Sequence, residues 1–143
     1  MIGGLWIIDT NVVVSGIITS NADSPAAFIL NRMVSADIRF ALCEDLIAEY
    51  RNVLLRRSIR RIHRLDEGEV DRILASLIEN GVIVDISARR ETASDPGDHH
   101  LWRLLAACSN AGLVTGDSLL VRNPPPHALV LAPRDYLNQS MLK

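Results

Sequence analysis

Lysine is nearly missing from this 143-residue sequence, because its only lysine is Lys143 and the other basic residues are all arginines. Mechanisms that need a lysine inside the chain are therefore excluded. Aromatic residues make up 4% of the sequence, which excludes a platform of aromatic rings on which single-stranded nucleic acid could stack. The net charge of -2 argues against binding a polyanion through bulk positive charge.

Cysteine and long apolar runs are also scarce. Cys43 and Cys108 have neither the number nor the spacing of a disulfide framework or a zinc site, so we expect a reducing, cytoplasmic setting. The apolar start of the chain reaches Asp9 too early to form a signal peptide or a membrane span, and we expect no membrane contact. With 48% hydrophobic and 22% charged residues, residues 1–143 are predicted to form one globular domain.

Short apolar segments alternate with segments of helical periodicity. Strands are predicted at residues 5–8, 39–42, 82–84, 113–115 and 128–131, and the first leads into a polar turn at residues 9–11. Helices are predicted at residues 24–36, around 46–54, at 66–80, from a turn at 94–98 to about 111, and from 133 onward. Because parallel neighbours need crossover helices, the pattern predicts an α/β fold: a three-layer α/β/α sandwich around a mostly parallel sheet of about four to five strands.

Two predicted strands lead into an aspartate, Asp9 and Asp117. The carboxyl ends of parallel strands meet at one crevice where ligands bind, so both acids are expected at one site. Asp98, at a helix start, and Glu49, at the border of an apolar helix face, are further candidates. Clustered carboxylates repel one another unless a cation neutralises them, and oxygen ligands favour Mg²⁺ or Mn²⁺. The alternative that these acids are helix caps and exposed turn residues stays open on pattern alone.

Four short motifs follow one another along the chain: IDTNVVVSG at residues 8–16, LIAE at 46–49, DPGD at 95–98 and VTGDSLL at 114–120. In this order they resemble the motifs of the PIN-domain family of ribonucleases, in particular the toxin components of bacterial toxin–antitoxin pairs (VapC-like). A closing LAPRDYL at 131–137 is also similar to the family. Each motif is short, but their order and spacing extend over nearly the whole chain.

The resemblance implies a PIN-like fold and a metal-dependent endoribonuclease with a site formed by four acids. These are Asp9, Glu49, Asp98 and Asp117, which would bind Mg²⁺ or Mn²⁺ and orient a water for attack on an RNA phosphodiester. Small polar residues would support the site: Thr10, Asn11, Ser15 and Thr115. Many members have a further acid where this chain has Leu119, which puts a two-metal site in doubt. An antitoxin protein and homodimerisation are also implied.

An arginine-rich segment is the candidate for contacts with the RNA backbone. Its guanidinium groups could bind phosphates in pairs of hydrogen bonds, and it consists of Arg51, Arg56, Arg57, Arg60, Arg61 and Arg64. An equally open alternative is that these arginines lie at a solvated helix end and form ion pairs with Asp66, Glu67 and Glu69. His99 and His100 follow Asp98 directly, but adjacent helical residues point in different directions, so at most one of them could reach the site as a ligand of a softer metal. The favoured expectation is that both are exposed residues at a helix start.

Two other classes of protein remain alternatives. A phosphoryl-transfer domain, such as a receiver or a haloacid-dehalogenase-like phosphatase, also places an aspartate at a strand end, but these families use an internal lysine that this chain lacks. The second alternative is a catalytically weak or inactive PIN-like module that binds RNA or protein. Retention of all four acids argues against it, whereas Leu119 keeps it open.

Overall fold

A parallel sheet of five strands forms the centre of the molecule, with strand order β3-β2-β1-β4-β5. The computed structural model describes residues 4–86, 99–108, 110–126 and 128–141. The strands are β1 (Leu5–Ile8), β2 (Arg39–Leu42), β3 (Val82–Ile83), β4 (Gly112–Val114) and β5 (Leu129–Leu131). Every strand pairing in this part of the chain is parallel. The predicted α/β/α sandwich with a mostly parallel sheet is therefore confirmed.

Eight helices flank the sheet in the described residues. They are α1 (Thr10–Ile18), α2 (Pro25–Val34), α3 (Glu44–Leu54), α4 (Arg57–His63), α5 (Glu67–Asn80), α6 (His99–Ala107), α7 (Ser118–Arg122) and α8 (Pro133–Met141). None of the helices in this portion of the chain combines the length and apolar character needed to cross a membrane.

The central strand, β1, is buried along most of its length. Ile7 and Ile8 of β1 are fully buried, and they pair in register with Leu113 and Val114 of β4. A strand buried on both faces is expected to be a continuous apolar run rather than an alternating one. This pairing places the carboxyl ends of β1 and β4 next to each other.

Local sequence signals explain several helix starts. Ser24 accepts a hydrogen bond from the N–H of Ala27 at the start of α2, and Asp66 and Glu69 form a capping box at the start of α5. Helix α2 ends at Val34 rather than at residue 36, because Ala36 adopts a positive φ of 62°.

The polar turn predicted after β1 is wrong, because helix α1 begins at Thr10. Three consecutive β-branched residues, Val12 to Val14, lower the intrinsic helix propensity of this segment. All three are buried, so packing outweighs propensity. Residues 57–63, the central part of the arginine-rich segment, form helix α4, and residues 118–122 form helix α7; neither helix was predicted.

Candidate active site

Asp9 follows the last residue of β1 and is held at the carboxyl edge of the sheet. Its N–H donates to the carbonyl of Val114 at 2.9 Å. Its Oδ1 accepts from the N–H of Thr10 at 2.8 Å, and its Oδ2 accepts from the hydroxyl of Thr115 at 2.8 Å. Only 8% of Asp9 is exposed. Burial raises the pKa of this carboxyl; the hydrogen bonds from Thr115 and Thr10 offset part of the increase, and the negative charge of Glu49 adds to it.

Thr115 and Asn11 connect the ends of β1 and β4. Thr115 is fully buried, and its hydroxyl also accepts from the N–H of Asp117 at 3.0 Å. The Nδ2 of Asn11 lies 3.3 Å from Asp9 Oδ2, while its Oδ1 accepts from the N–H of Gly116 at 2.7 Å. The two predicted supporting residues therefore fix the orientation of Asp9 and of the turn that carries Asp117.

Glu49 reaches the same edge from α3. Its Oε1 accepts from the hydroxyl of Thr10, so the first residue of α1 holds this second acid. The next residue, Tyr50, is fully buried, and its hydroxyl donates to the carbonyl of Ile8 at 2.5 Å. This bond attaches α3 to the end of β1 and fixes the position of Glu49 relative to Asp9.

Asp117 is the N-cap of α7, because its Oδ1 accepts from the N–H of Leu119 at 2.9 Å. The sequence left open that the acids are helix caps, and this is correct for one oxygen of Asp117. It is also correct for the oxygen of Asp9 that accepts from Thr10. Both residues nevertheless face the same cleft. Leu119, two residues after Asp117, is 63% exposed.

The acids line an open cleft of about 390 Å³. Three of the four predicted acids line it, together with Thr10, Asn11 and Ser15. The lining residues are Asp9, Thr10, Asn11, Val14, Ser15, Glu49, Val53, Arg56, Asp117 and Leu120. Asp98 lies outside the described residues. Within those residues, no three His, Cys, Asp or Glu side chains lie close enough together to hold a metal ion.

His100 is a residue of this site that the sequence interpretation missed. It was expected to be an exposed residue at the start of a helix, but only 12% of its side chain is exposed. Its Nε2 lies 3.6 Å from Oε1 of Glu49. The expectation failed because the local pattern of α6 carries no information about α3, which contributes the neighbouring acid.

The arginine-rich segment divides into three parts. Arg51 bridges α3 to α5 through ion pairs with Glu67 and Asp71, and its guanidinium holds the pKa of Asp71 below its ordinary value. Arg56 lines the acidic cleft. The other four line a neighbouring cavity of about 530 Å³ with Leu55, Leu65 and Asp66; they are Arg57, Arg60, Arg61 and Arg64. The ion-pair alternative thus fits Arg51, although Asp71 was not among its expected partners.

A family model described as PIN domain matches residues 6–119, a range that contains all four predicted acids. No curated protein matches this sequence.

Proposed function

This chain belongs to the PIN-domain family, whose members are typically nucleases, and we propose that it is a divalent-metal-dependent endoribonuclease. The proposed catalytic and metal-binding acids are Asp9, Glu49, Asp98 and Asp117. The observation that carries the proposal is a cleft lined by three of these acids, with Asp9 buried and fixed by three hydrogen-bond donors. A carboxylate at that position is costly in a metal-free protein, which favours a cation as its partner.

The chemistry of the donors fits a hard cation. Asp9, Glu49 and Asp117 offer only carboxylate oxygens to the cleft, and Mg²⁺ and Mn²⁺ prefer such ligands. PIN domains generally use divalent metal ions, in agreement with this donor set. When bound, the metal would lower the pKa of a water and stabilise charge on the phosphate oxygens.

The protein's own contribution is to fix the acids before substrate binds. Thr115 and the N–H of Thr10 hold both oxygens of Asp9, while the hydroxyl of Thr10 orients Glu49. Preorganised charge of this kind needs no rearrangement during the reaction. Arg56 lines the same cleft and is positioned to contact a phosphate beside the acids.

The arginines of α4 support a polyanionic substrate, for which we propose RNA. Arg57, Arg60, Arg61 and Arg64 have no acidic partner among the described residues, in contrast to Arg51. The protein as a whole carries a net charge of -2, so these cations form a local attraction for phosphate rather than part of a generally basic surface.

Cleavage of a mixed RNA pool tests the proposal. The protein is incubated with EDTA, Mg²⁺ or Mn²⁺ beside the Asp9→Asn and Asp98→Asn variants. Glu44→Gln is the matched control, because Glu44 is exposed on the first turn of α3 and does not line the cleft. We expect cleavage only with metal, its loss in both Asn variants and its retention in the control. Folded protein that cuts no RNA with any metal would favour a PIN-like binding module.

We further propose that the chain is the toxin of a toxin–antitoxin pair and acts as a homodimer. The order of its motifs supports this role. An apolar groove of about 530 Å³ between α1, α2 and α8 shares Ser15 with the acidic cleft and could accept a segment of an antitoxin protein. Expression of the chain alone should arrest bacterial growth, whereas expression of Asp9→Asn should not. Equal growth of both strains would contradict the toxin role.

A further inference from the structure

His100 places a buried nitrogen beside the acidic cleft. It is the second residue of α6, and its Nε2 is shielded from solvent and has no hydrogen-bond partner among the described residues. Oε1 of Glu49 lies 3.6 Å from this nitrogen, within ion-pair distance but too far for a hydrogen bond. Buried polar groups are nearly always hydrogen-bonded, so an orphaned ring nitrogen that faces a carboxylate requires an explanation.

Glu49 is held from one side only. The hydroxyl of Thr10 donates to its Oε1, and His100 lies within ion-pair distance of the same oxygen. Oε2 has no hydrogen-bond partner in the described part of the chain. An ordinary hydrogen bond is about 2.7–3.2 Å long, so a movement of less than about 1 Å would let Oε1 accept from Nε2 as well.

We propose that His100 is a positioning residue that holds Glu49, through a hydrogen bond from Nε2–H to Oε1, in the orientation used at the active site. Thr10 and His100 then restrain Oε1 together, and Oε2 is the oxygen left for a metal or a water. The role of Glu49 in catalysis rests on the proposed function, but the contact between His100 and Glu49 does not.

Nuclear magnetic resonance tests the contact without metal or RNA. The chain has four histidines, so protein labelled with ¹⁵N-histidine gives few ring-nitrogen signals, and His100→Gln identifies those of His100. We expect Glu49→Ala to shift the Nε2 signal of His100, and Glu44→Ala, on the exposed first turn of the same helix, to leave it unchanged. An Nε2 signal that does not respond to Glu49→Ala overturns the proposal.

Metal affinity and kinetics test the positioning role. Loss of a residue that orients a metal ligand typically costs about 10- to 100-fold in affinity or activity. We expect His100→Ala to weaken Mn²⁺ binding, measured by calorimetry, and to lower kcat by this factor without changing KM for RNA. His100→Gln keeps an N–H donor near the position of Nε2 and should restore both values.

The outcomes separate the two proposals. If His100→Ala binds Mn²⁺ and cleaves RNA as the unaltered protein does, His100 does not position Glu49. If His100→Gln is as impaired as His100→Ala, the residue acts only through packing, which also overturns the proposal. If the unaltered protein neither binds metal nor cuts RNA, the proposed function fails, while the response of Nε2 to Glu49→Ala still decides the contact.

Discussion

Asp9 is the most buried of the three acids that the structure describes. Its carboxylate must nevertheless be charged to fulfil the proposed role in metal binding. Burial raises its pKa above the ordinary value of 3.8, so the folded, metal-free protein binds this proton more tightly than the unfolded chain. As pH rises, the unfolded chain loses the proton first. The resulting loss of stability begins near 3.8 and is complete above the folded-state pKa.

Asp9→Asn should therefore increase the free energy of unfolding of the metal-free protein at neutral pH. The difference from the unaltered protein should disappear well below pH 3.8, where both side chains are neutral. Urea unfolding in EDTA at the two pH values measures the effect. Added Mg²⁺ should stabilise the unaltered protein but not the variant, because only the former retains the full acidic site.

Asp71→Asn provides a control of opposite sign. Arg51 lowers the pKa of Asp71, so this carboxylate stabilises the fold above its unfolded-state pKa, and the contribution is lost as pH falls through the folded-state value. The substitution should give no gain in stability at neutral pH.

The prediction for Asp9 has its own contradicting outcome. A less stable Asp9→Asn protein at neutral pH would show that the hydrogen bonds to Asp9 outweigh the effect of its burial.

The sequence identified the individual acids as candidates, but it did not reveal which side chains contact them. Asp9 and Asp117 follow apolar strands, a local signal that placed them correctly at one edge of the sheet. The proximity of His100 to Glu49 joins two helices that lie far apart in sequence. No periodicity of α6 contains that information, so the burial of His100 could not be predicted.

Helix α4 is the element that brings unpaired positive charge close to the cleft. His63 anchors it: the Nδ1 of His63 accepts from the N–H of Leu65 at 2.8 Å, which leaves Nε2 to donate to the carbonyl of Leu54 at 2.8 Å. Both ring nitrogens are thus used within the protein. His63 therefore supports the fold of α4 rather than offering a free ring nitrogen to a ligand.

Substitution of Arg60 and Arg61 by alanine should reduce the salt dependence of RNA binding. For single-stranded nucleic acid, each lost phosphate contact lowers the slope of log K against log salt by about 0.7. Binding is measured with Asp9→Asn protein, so that RNA stays intact. Arg39→Ala is the control, because Arg39 is exposed at the opposite, amino-terminal end of β2. Equal slopes for all three proteins would rule out a role for α4 in binding.

Helices α1 and α4 also mark where sequence patterns fail. The valines of α1 favour a strand by propensity but are buried as a helix. Helix α4 has no fully buried residue, and its only apolar pattern is the pair Ile59 and Ile62, which is too short to identify a helix. In contrast, α5 was predicted with its correct end, because its apolar residues recur at helical spacing and Gly81 follows its last residue.

At the scale of the whole molecule, the predicted α/β fold indicated where the site would lie, because parallel sheets can be connected in only a few ways. Alternation of strands and helices, with crossover connections between parallel neighbours, leads to a sheet with all carboxyl ends at one edge. That edge holds Asp9 and Asp117, and α3 adds Glu49. The sequence alone could not show which strands are neighbours, and therefore could not show that Thr115 supports Asp9.

The order of the strands affects when the site can form during translation. The first strand of the chain is the central one, and the hydroxyl that orients Asp9 belongs to Thr115, 106 positions later. While Thr115 is still inside the ribosome, Asp9 of the nascent chain lacks this hydrogen-bond partner. The adjoining turn that carries Asp117 is also missing at that stage. The proposed nuclease therefore cannot assemble its cleft beside the messenger RNA and ribosome until most of its sheet has been synthesised.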